Sequence, residues 1–239
     1  MWRTATVREV IAESRSARTL ALDVPGWPGH RAGQHLDLRL TAEDGYQAQR
    51  SYSVASAPEL ERLEITVEVV EDGEVSPYLA AEVRPGDQFE VRGPIGGHFT
   101  WSADEGGPVL LVAGGSGLVP LMAMLRHRAA RASDAAMNVL ISARSPEEAL
   151  YRAELAELEG AAGLEVIWTW TRSAPQDWTG ARGRVDGPLL EAAGFGDPSA
   201  VRCFACGPTP FVEHVLDLLV AGGYATAQIH AERFGPTGT

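Results

Sequence analysis

The sequence predicts two unlike units in tandem, an antiparallel β-barrel or sandwich followed by an α/β unit on a parallel sheet. Three observations carry that prediction. Over the first hundred residues apolar and polar side chains alternate in short runs bounded by turn clusters. After Ser102-Ala103-Asp104-Glu105-Gly106-Gly107-Pro108, a stretch of linker composition, short apolar strands alternate with helical segments. At the head of that second part an apolar strand runs straight into a glycine-rich turn and a helix. The division falls between residues 1–103 and 104–239.

In the first part the alternating runs are Thr6–Ile11, Thr19–Val24, His35–Leu40 and Leu63–Val69, each with every second residue apolar or nearly so. Pro25-Gly26-Trp27-Pro28-Gly29, Glu43-Asp44-Gly45 and Arg84-Pro85-Gly86-Asp87 are the turns between strands. One short helix, about Val75 to Val83, interrupts the pattern. In the second part the spacing predicts strands near Val109–Ala113, Asn138–Ser142, Leu164–Thr169, Val201–Ala205 and Gln228–Ala231. Helices are expected near Pro120–Ala132, Glu147–Glu159, Asp186–Ala193 and Pro208–Ala221. Such alternation implies right-handed crossovers and a ligand site at the carboxyl ends of the strands.

With 239 residues, 45% hydrophobic and 22% charged, the chain is long enough for one large or two modest cores and lies far from disordered compositions. Its two cysteines, Cys203 and Cys206, are too few for a disulfide framework, a four-cysteine zinc site or an all-cysteine iron–sulfur cluster. The six histidines are scattered with no ligand spacing, so no metal site is expected. A net charge of −12 argues against nucleic acid as partner. That charge sits mainly after residue 50: arginines against acidic residues number 7 to 6 in 1–50, 3 to 11 in 51–104 and 10 to 15 in 105–239. The N-terminus has no signal-peptide core, and no apolar run approaches the roughly 20 residues of a membrane helix. A cytoplasmic protein with no membrane contact is the expectation.

Several short motifs carry chemistry. Gly114-Gly115-Ser116-Gly117 with Pro120 beyond it is a turn in which glycines let backbone amides approach a phosphate at a helix start. A tight turn without a ligand would use the same residues. Arg50-Ser51-Tyr52-Ser53 places a cation, a phenol and two hydroxyls in one strand, with Arg50 and Tyr52 on one face and Ser51 and Ser53 on the other. Gly73-Glu74-Val75-Ser76 feeds the short helix, with Ser76 as a cap or an anion ligand. Gly93-Pro94-Ile95-Gly96-Gly97-His98-Phe99 is a strand-end turn with Phe99 in the core.

These segments, in this order, with Cys206-Gly207-Pro208-Thr209-Pro210-Phe211 and a late Glu232-Arg233-Phe234, resemble the ferredoxin–NADP reductase superfamily over nearly the whole chain. The resemblance implies a flavin-binding barrel joined to a pyridine-nucleotide domain, with FAD as cofactor and NADPH or NADH as donor. By it, Arg50 neutralises the flavin pyrophosphate, Tyr52 packs on the ring and Ser53 bonds near its reactive nitrogen, with Ser51 and Val69 alongside. Gly73, Val75 and Ser76 hold the pyrophosphate; Gly115, Ser116, Gly117 and Pro120 receive the nicotinamide nucleotide; Cys206, Gly207 and Pro208 line the nicotinamide. Ser53, Cys206 and Glu232 form the catalytic group. Phe234 either shields the flavin or is a sheet-edge phenylalanine beside a solvated glutamate, since the chain continues to Thr239.

For the donor, Arg144 at the end of the second strand of the α/β unit and Arg152 on the next helix favour NADPH through a 2′-phosphate, while Glu147 keeps NADH open. Surface pairing with Glu147, Glu148 or Glu154 is the competing fate of both arginines. Glu147-Glu148 itself is read as a helix start. Cys203 and Cys206, three apart on a strand, face opposite sides and do not form a redox pair. The expected activity is hydride transfer from NAD(P)H to FAD and single-electron delivery to a separate protein, a ferredoxin or an oxygenase iron–sulfur component. Docking would use local arginines such as Arg3, Arg8, Arg15, Arg18 and Arg31. The rivals are a reductase of free flavin or another small acceptor, and a non-catalytic flavin-bearing subunit.

Overall fold

The computed structural model describes residues 1–70, 72–159 and 163–235. The first part contains β1 (Arg3–Ala12), β2 (Ala17–Asp23), β3 (His35–Thr41), β4 (Gln47–Ser53), β5 (Leu63–Glu68), the short helix α1 (Ser76–Ala81) and β6 (Gln88–Ile95). These strands form one sheet in the order β4-β3-β6-β1-β2-β5, antiparallel throughout. A bridge between Val54 and Ile65 brings β5 back to the end of β4 and curls the sheet onto itself. Alternation puts Leu20, Leu22, Leu36, Leu38, Ile65 and Val67 inside, where they are fully buried. Between Leu36 and Leu38, Asp37 points the other way and meets Ser51 (2.7 Å) and Arg92.

The second part contains β7 (Val109–Gly114), α2 (Leu118–Ala130), β8 (Met137–Ala143), α3 (Arg152–Glu159), β9 (Leu164–Trp170), β10 (Ala181–Arg182), α4 (Gly187–Ala193), β11 (Arg202–Pro208), α5 (Thr209–Ala221) and β12 (Ile229–Phe234). Its sheet runs β10-β9-β8-β7-β11-β12, parallel throughout. The chain turns outward in both directions from β7, so the carboxyl ends of β7 and β11 form the switch point where such sheets hold ligands. The glycine turn Gly114–Gly117 and Cys206–Gly207 lie there.

Helix α2 is apolar on every side from Leu118 to Leu125 and buried throughout that run, as expected of a helix covered all round. Its core is continuous with the barrel: Ala17, Ala32, Ala55, Phe99 and Trp101 belong to the same cluster as Leu118, Met122, Phe204 and Cys206. Arg126, from the end of α2, crosses to the barrel, donating to Glu64 (3.0 Å) and the Ala55 carbonyl (2.9 Å), and also binds Glu154 of α3 (2.6 Å). Burial alone would disfavour this guanidinium, but Glu154 and Glu64 together hold it firmly charged.

The segment expected to be helical from Glu147 is a turn as far as Tyr151, and α3 starts only at Arg152. Tyr151 has left-handed backbone (φ 53°), which ends any helix arriving from its N-terminal side, and its buried hydroxyl bonds Thr66 of the barrel. A long-range anchor therefore overrides the local helical pattern. Glu147 and Glu148 accordingly do not open a helix. The 102–108 stretch is also more ordered than a linker: Ser102 N–H bonds the Glu105 carboxylate (3.1 Å), and Trp101 Nε1 bonds the Gly106 carbonyl (3.2 Å).

Candidate functional site

The β3–β4 hairpin turns about Asp44, and its register sets Ser53 opposite His35, Tyr52 opposite Leu36, Ser51 opposite Asp37 and Arg50 opposite Leu38. The predicted alternation holds, since Ser51 bonds the outward Asp37 while Tyr52 packs on the barrel core. Burial pushes the Tyr52 phenol up to about 12. Asp37, which burial would push upward, is instead held below the usual carboxylate range by Arg92 and Ser51.

Arg50 is half exposed and lies 3.6 Å from Glu74, which also takes a hydrogen bond from Tyr46 and raises that exposed phenol's pKa. Val69 stands just past β5, half-buried, its N–H donated to the Ser16 carbonyl (2.7 Å). Gly73 and Ser76 close one turn: Gly73 N–H bonds the Val70 carbonyl (2.8 Å), and Ser76 Oγ accepts from Val70 N–H (3.0 Å). Ser76 is thus no N-cap. Val75 occupies that position, and no side chain caps the helix. The Val75 side chain lies in the barrel core, leaving only its backbone to meet a ligand.

In the second sheet Gly115 is exposed with φ +55°, and a Cβ there would find only Glu68 of β5, 3.9 Å away. Ser116 is half-buried, whereas Gly117 and Pro120 are buried. A Cβ on Gly117 would collide with the backbone of Cys206 and Gly207, so this glycine admits the neighbouring strand end. The ring of Phe211 covers Gly114 and Gly207 in the same way. Cys203 and Cys206 are free, buried and on opposite faces of the sheet, in different core clusters, as the three-residue spacing predicts. Burial pushes Cys203 up to about 12; burial and then the nearby Glu232 carboxylate push Cys206 well up.

Parallel register sets Glu232 opposite Cys206 and Phe234 opposite Pro208. Glu232 reaches His35 of the barrel, Oε1 to Nδ1 3.6 Å. Strand register and the His35–Glu232 contact therefore bring Ser53, His35, Glu232 and Cys206 into one row that crosses from one sheet to the other. Beside it His98 meets His230 (ring centroids 4.8 Å) and Phe99 meets Phe204 edge-on (5.4 Å). Glu232 is thus paired with the barrel, and Phe234, last residue of the edge strand, packs on the cluster that contains Cys206.

Arg144 is exposed and pairs with Glu148 (3.3 Å). Arg152 reaches the Pro146 carbonyl (3.4 Å) and stands 6.0 Å above the Trp170 ring. The two arginines therefore have separate partners around the carboxyl end of β8. Of the basic residues near the N-terminus, Arg8 pairs with Asp23, Arg3 donates to the Gly26 carbonyl (2.9 Å) and Arg18 to those of Ser14 and Ala17 (2.8 Å each). Sequence reasoning missed His35, Tyr46 and the Thr66–Tyr151 contact. His35 was recoverable, because a hairpin centred on Asp44 pairs residue 35 with residue 53.

The arrangement suits a flavin dinucleotide. Arg50 could supply a cation and the uncapped backbone at 75–76 N–H donors for a diphosphate, and the Cβ-free turn at Gly115 opens toward β5. Comparison with known proteins agrees. Residues 4–101 match the oxidoreductase FAD-binding domain family and residues 111–217 the oxidoreductase NAD-binding domain family. Ferredoxin–NADP reductase B of Sorangium cellulosum is 35% identical over 211 residues, covering 85% of this chain and 84% of the relative. The glycine betaine monooxygenase reductase subunit of Pseudomonas aeruginosa is 32% identical over 237 residues, 96% of this chain. This chain spans only 63% of that relative's length. Among solved structures, the flavohem-like FAD/NAD-binding domain of nitric oxide dioxygenase from Vibrio cholerae superposes with a TM-score of 0.86 at 27% identity, covering 98% of this chain and 99% of that one.

Proposed function

Because the chain belongs to the ferredoxin–NADP reductase superfamily of FAD- and NAD(P)-binding oxidoreductases, we propose that it is a cytoplasmic reductase that passes electrons from NAD(P)H to a separate protein acceptor. Bound FAD would supply the conversion of a two-electron donor into single-electron steps. The observation that carries the reading is the row Ser53–His35–Glu232–Cys206, in which strand register and the His35–Glu232 contact bring residues of the two halves together where a hydride path would run. In this reading residues 1–103 hold the flavin and 104–239 the nucleotide. Arg50 and the backbone at Gly73, Val75 and Ser76 bind the diphosphate, with Val69 and Ser51 at the margin, and Tyr52 lies against the ring.

Ser53 offers a hydroxyl beside the reacting edge, Cys206 a compact neutral thiol, and Glu232 a carboxylate. Gly115 and Ser116 receive the nucleotide diphosphate, Gly117 and Pro120 shape that turn, and Gly207 and Pro208 wall the nicotinamide. Phe234 closes the site from the edge strand. Arg144 and Arg152 would converge on a 2′-phosphate by exchanging their present surface partners, which favours NADPH. A ferredoxin or oxygenase iron–sulfur component is the favoured acceptor, in keeping with the reductase subunit to which the chain is similar. A second reading, reduction of free flavin, draws support from the half-exposed Arg50 and its competing Glu74.

The test is an anaerobic visible spectrum of the purified protein followed by stopped-flow mixing with NADPH and, separately, NADH. Rapid bleaching of retained flavin by NADPH, and a Michaelis constant for NADPH raised far more than that for NADH in Arg144→Ala, is the expected result. Flavin lost on desalting but reduced when added back would favour the second reading. Protein that binds no FAD, or bound flavin that neither nucleotide reduces, would overturn both.

A further inference from the structure

We infer that His35 is the positioning residue for Glu232, holding its carboxylate across the junction of the two sheets beside the Cys206 thiol. The inference deepens the reductase reading, because it assigns the means by which one half of the chain sets the geometry of the other at the reacting centre.

His35 and Glu232 are each about a quarter exposed, 26% and 24%, so neither is a freely solvated surface group. The imidazole is held on the barrel side. Its strand neighbour Ser53 pairs with it across β3–β4, and Gly96 lies against its ring: a Cβ there would stand 3.5 Å from Nδ1, at ordinary contact distance. Gly96 is itself fixed, since Gln34 Nε2 donates to its carbonyl at 2.6 Å. On the other side Glu232 lies on an edge strand, where a carboxylate has rotamer freedom unless something holds it. The neighbouring Arg233 is engaged with Glu213 (2.6 Å), while the Glu232 carboxylate meets His35. Charged and titratable groups near the pair include Asp37, two residues along β3 and bound to Arg92, Cys206 behind Glu232, the His98–His230 pair, and Arg31 at the Gly97 turn.

With nucleotide bound, a carboxylate held at this point would stabilise the positive charge that develops on a nicotinamide as it gives up hydride, and a prepositioned one does so best. Losing His35 should therefore slow the chemical step while leaving nucleotide binding intact. In flavin-loaded protein, His35→Ala is expected to lower the limiting rate of flavin reduction about ten-fold with the nucleotide dissociation constant unchanged within two-fold. His35→Gln, which keeps a polar donor facing Glu232, should recover most of that loss. In a Glu232→Ala background, His35→Ala should have no further effect.

A second readout does not need the reaction: the rate at which N-ethylmaleimide labels Cys206, located by peptide mass spectrometry, with Cys203 reporting global opening. His35→Ala should speed labelling of Cys206 and leave Cys203 unchanged. Equal losses from His35→Ala with and without Glu232, or wild-type labelling of Cys206 in both His35 variants, would overturn the assignment. A wild-type protein that neither nucleotide reduces would instead sink the reductase reading, and Cys206 labelling would still decide whether His35 holds Glu232. Should His35→Ala fail to fold, His35→Gln against His35→Phe gives the same comparison.

Discussion

Two glycine turns in this chain look alike in sequence and differ in what their glycines avoid. In the barrel, Gly73 is crowded by its own turn: a Cβ would lie 2.9 Å from the Val70 carbonyl and 2.9 Å from Ser76 Oγ. In the parallel-sheet half, Gly117 is crowded by a strand remote in sequence, the Cys206–Gly207 end of β11, while a Cβ on Gly115 two residues earlier would meet only the end of the Glu68 side chain, 3.9 Å away. Between them the two turns hold glycines of three kinds: those that admit local backbone, those that admit distant backbone, and those with a side left uncrowded.

The comparison can be broken by substitution. Gly117→Ala should have the largest effect, because both colliding partners are backbone and the turn must withdraw from β11; a loss of about 3 kcal/mol or more in urea unfolding is expected. A loss no greater than that of Gly73→Ala would sink the distinction. Gly73→Ala should cost about 1–2 kcal/mol, since a short turn can shift without disturbing a sheet, and weaken flavin retention on desalting. Gly115→Ala should cost about 1 kcal/mol for its left-handed backbone, with the larger consequence a weaker nucleotide affinity by equilibrium titration.

The smallest effect sharpens the junction that Gly117 packs toward. Burial lowers the pKa of His230, beside His98, and of His30, whose Nε2 donates to the Ser56 carbonyl. Both imidazoles therefore take up protons more readily in the unfolded chain. Stability should fall as pH drops through the ordinary histidine value of 6.5 and level off below the lowered folded-state values. Denaturant midpoints between pH 8 and about pH 5 check this. His230→Asn should flatten the slope, and an unchanged slope would remove His230 from the account.

Much of the site was legible along the chain. The face separation of Ser51 from Tyr52, the divergence of Cys203 from Cys206 and the strand leading into Gly115 all follow from the two-residue period of a strand and the turn chemistry beside it. What stayed hidden was placed by partners far away. Glu232 reads along the chain either as part of the catalytic group or as a solvated edge carboxylate, and its approach to His35 is visible only in the fold. Tyr151 reads as helical until its bond to Thr66 and left-handed backbone end the helix before Arg152.

By itself the sequence determined the order of the two halves, the antiparallel and parallel character of their sheets, and which residues lie at the strand ends. These depend on neighbours within a few residues, where periodicity and turn preference act. Tertiary structure alone decided that α2 is enclosed between sheet and barrel, that Gly117 makes room for Cys206, and that Ser53, His35, Glu232 and Cys206 form one row. Those outcomes depend on how closely two packed sheets approach, and that is set by the whole core they share.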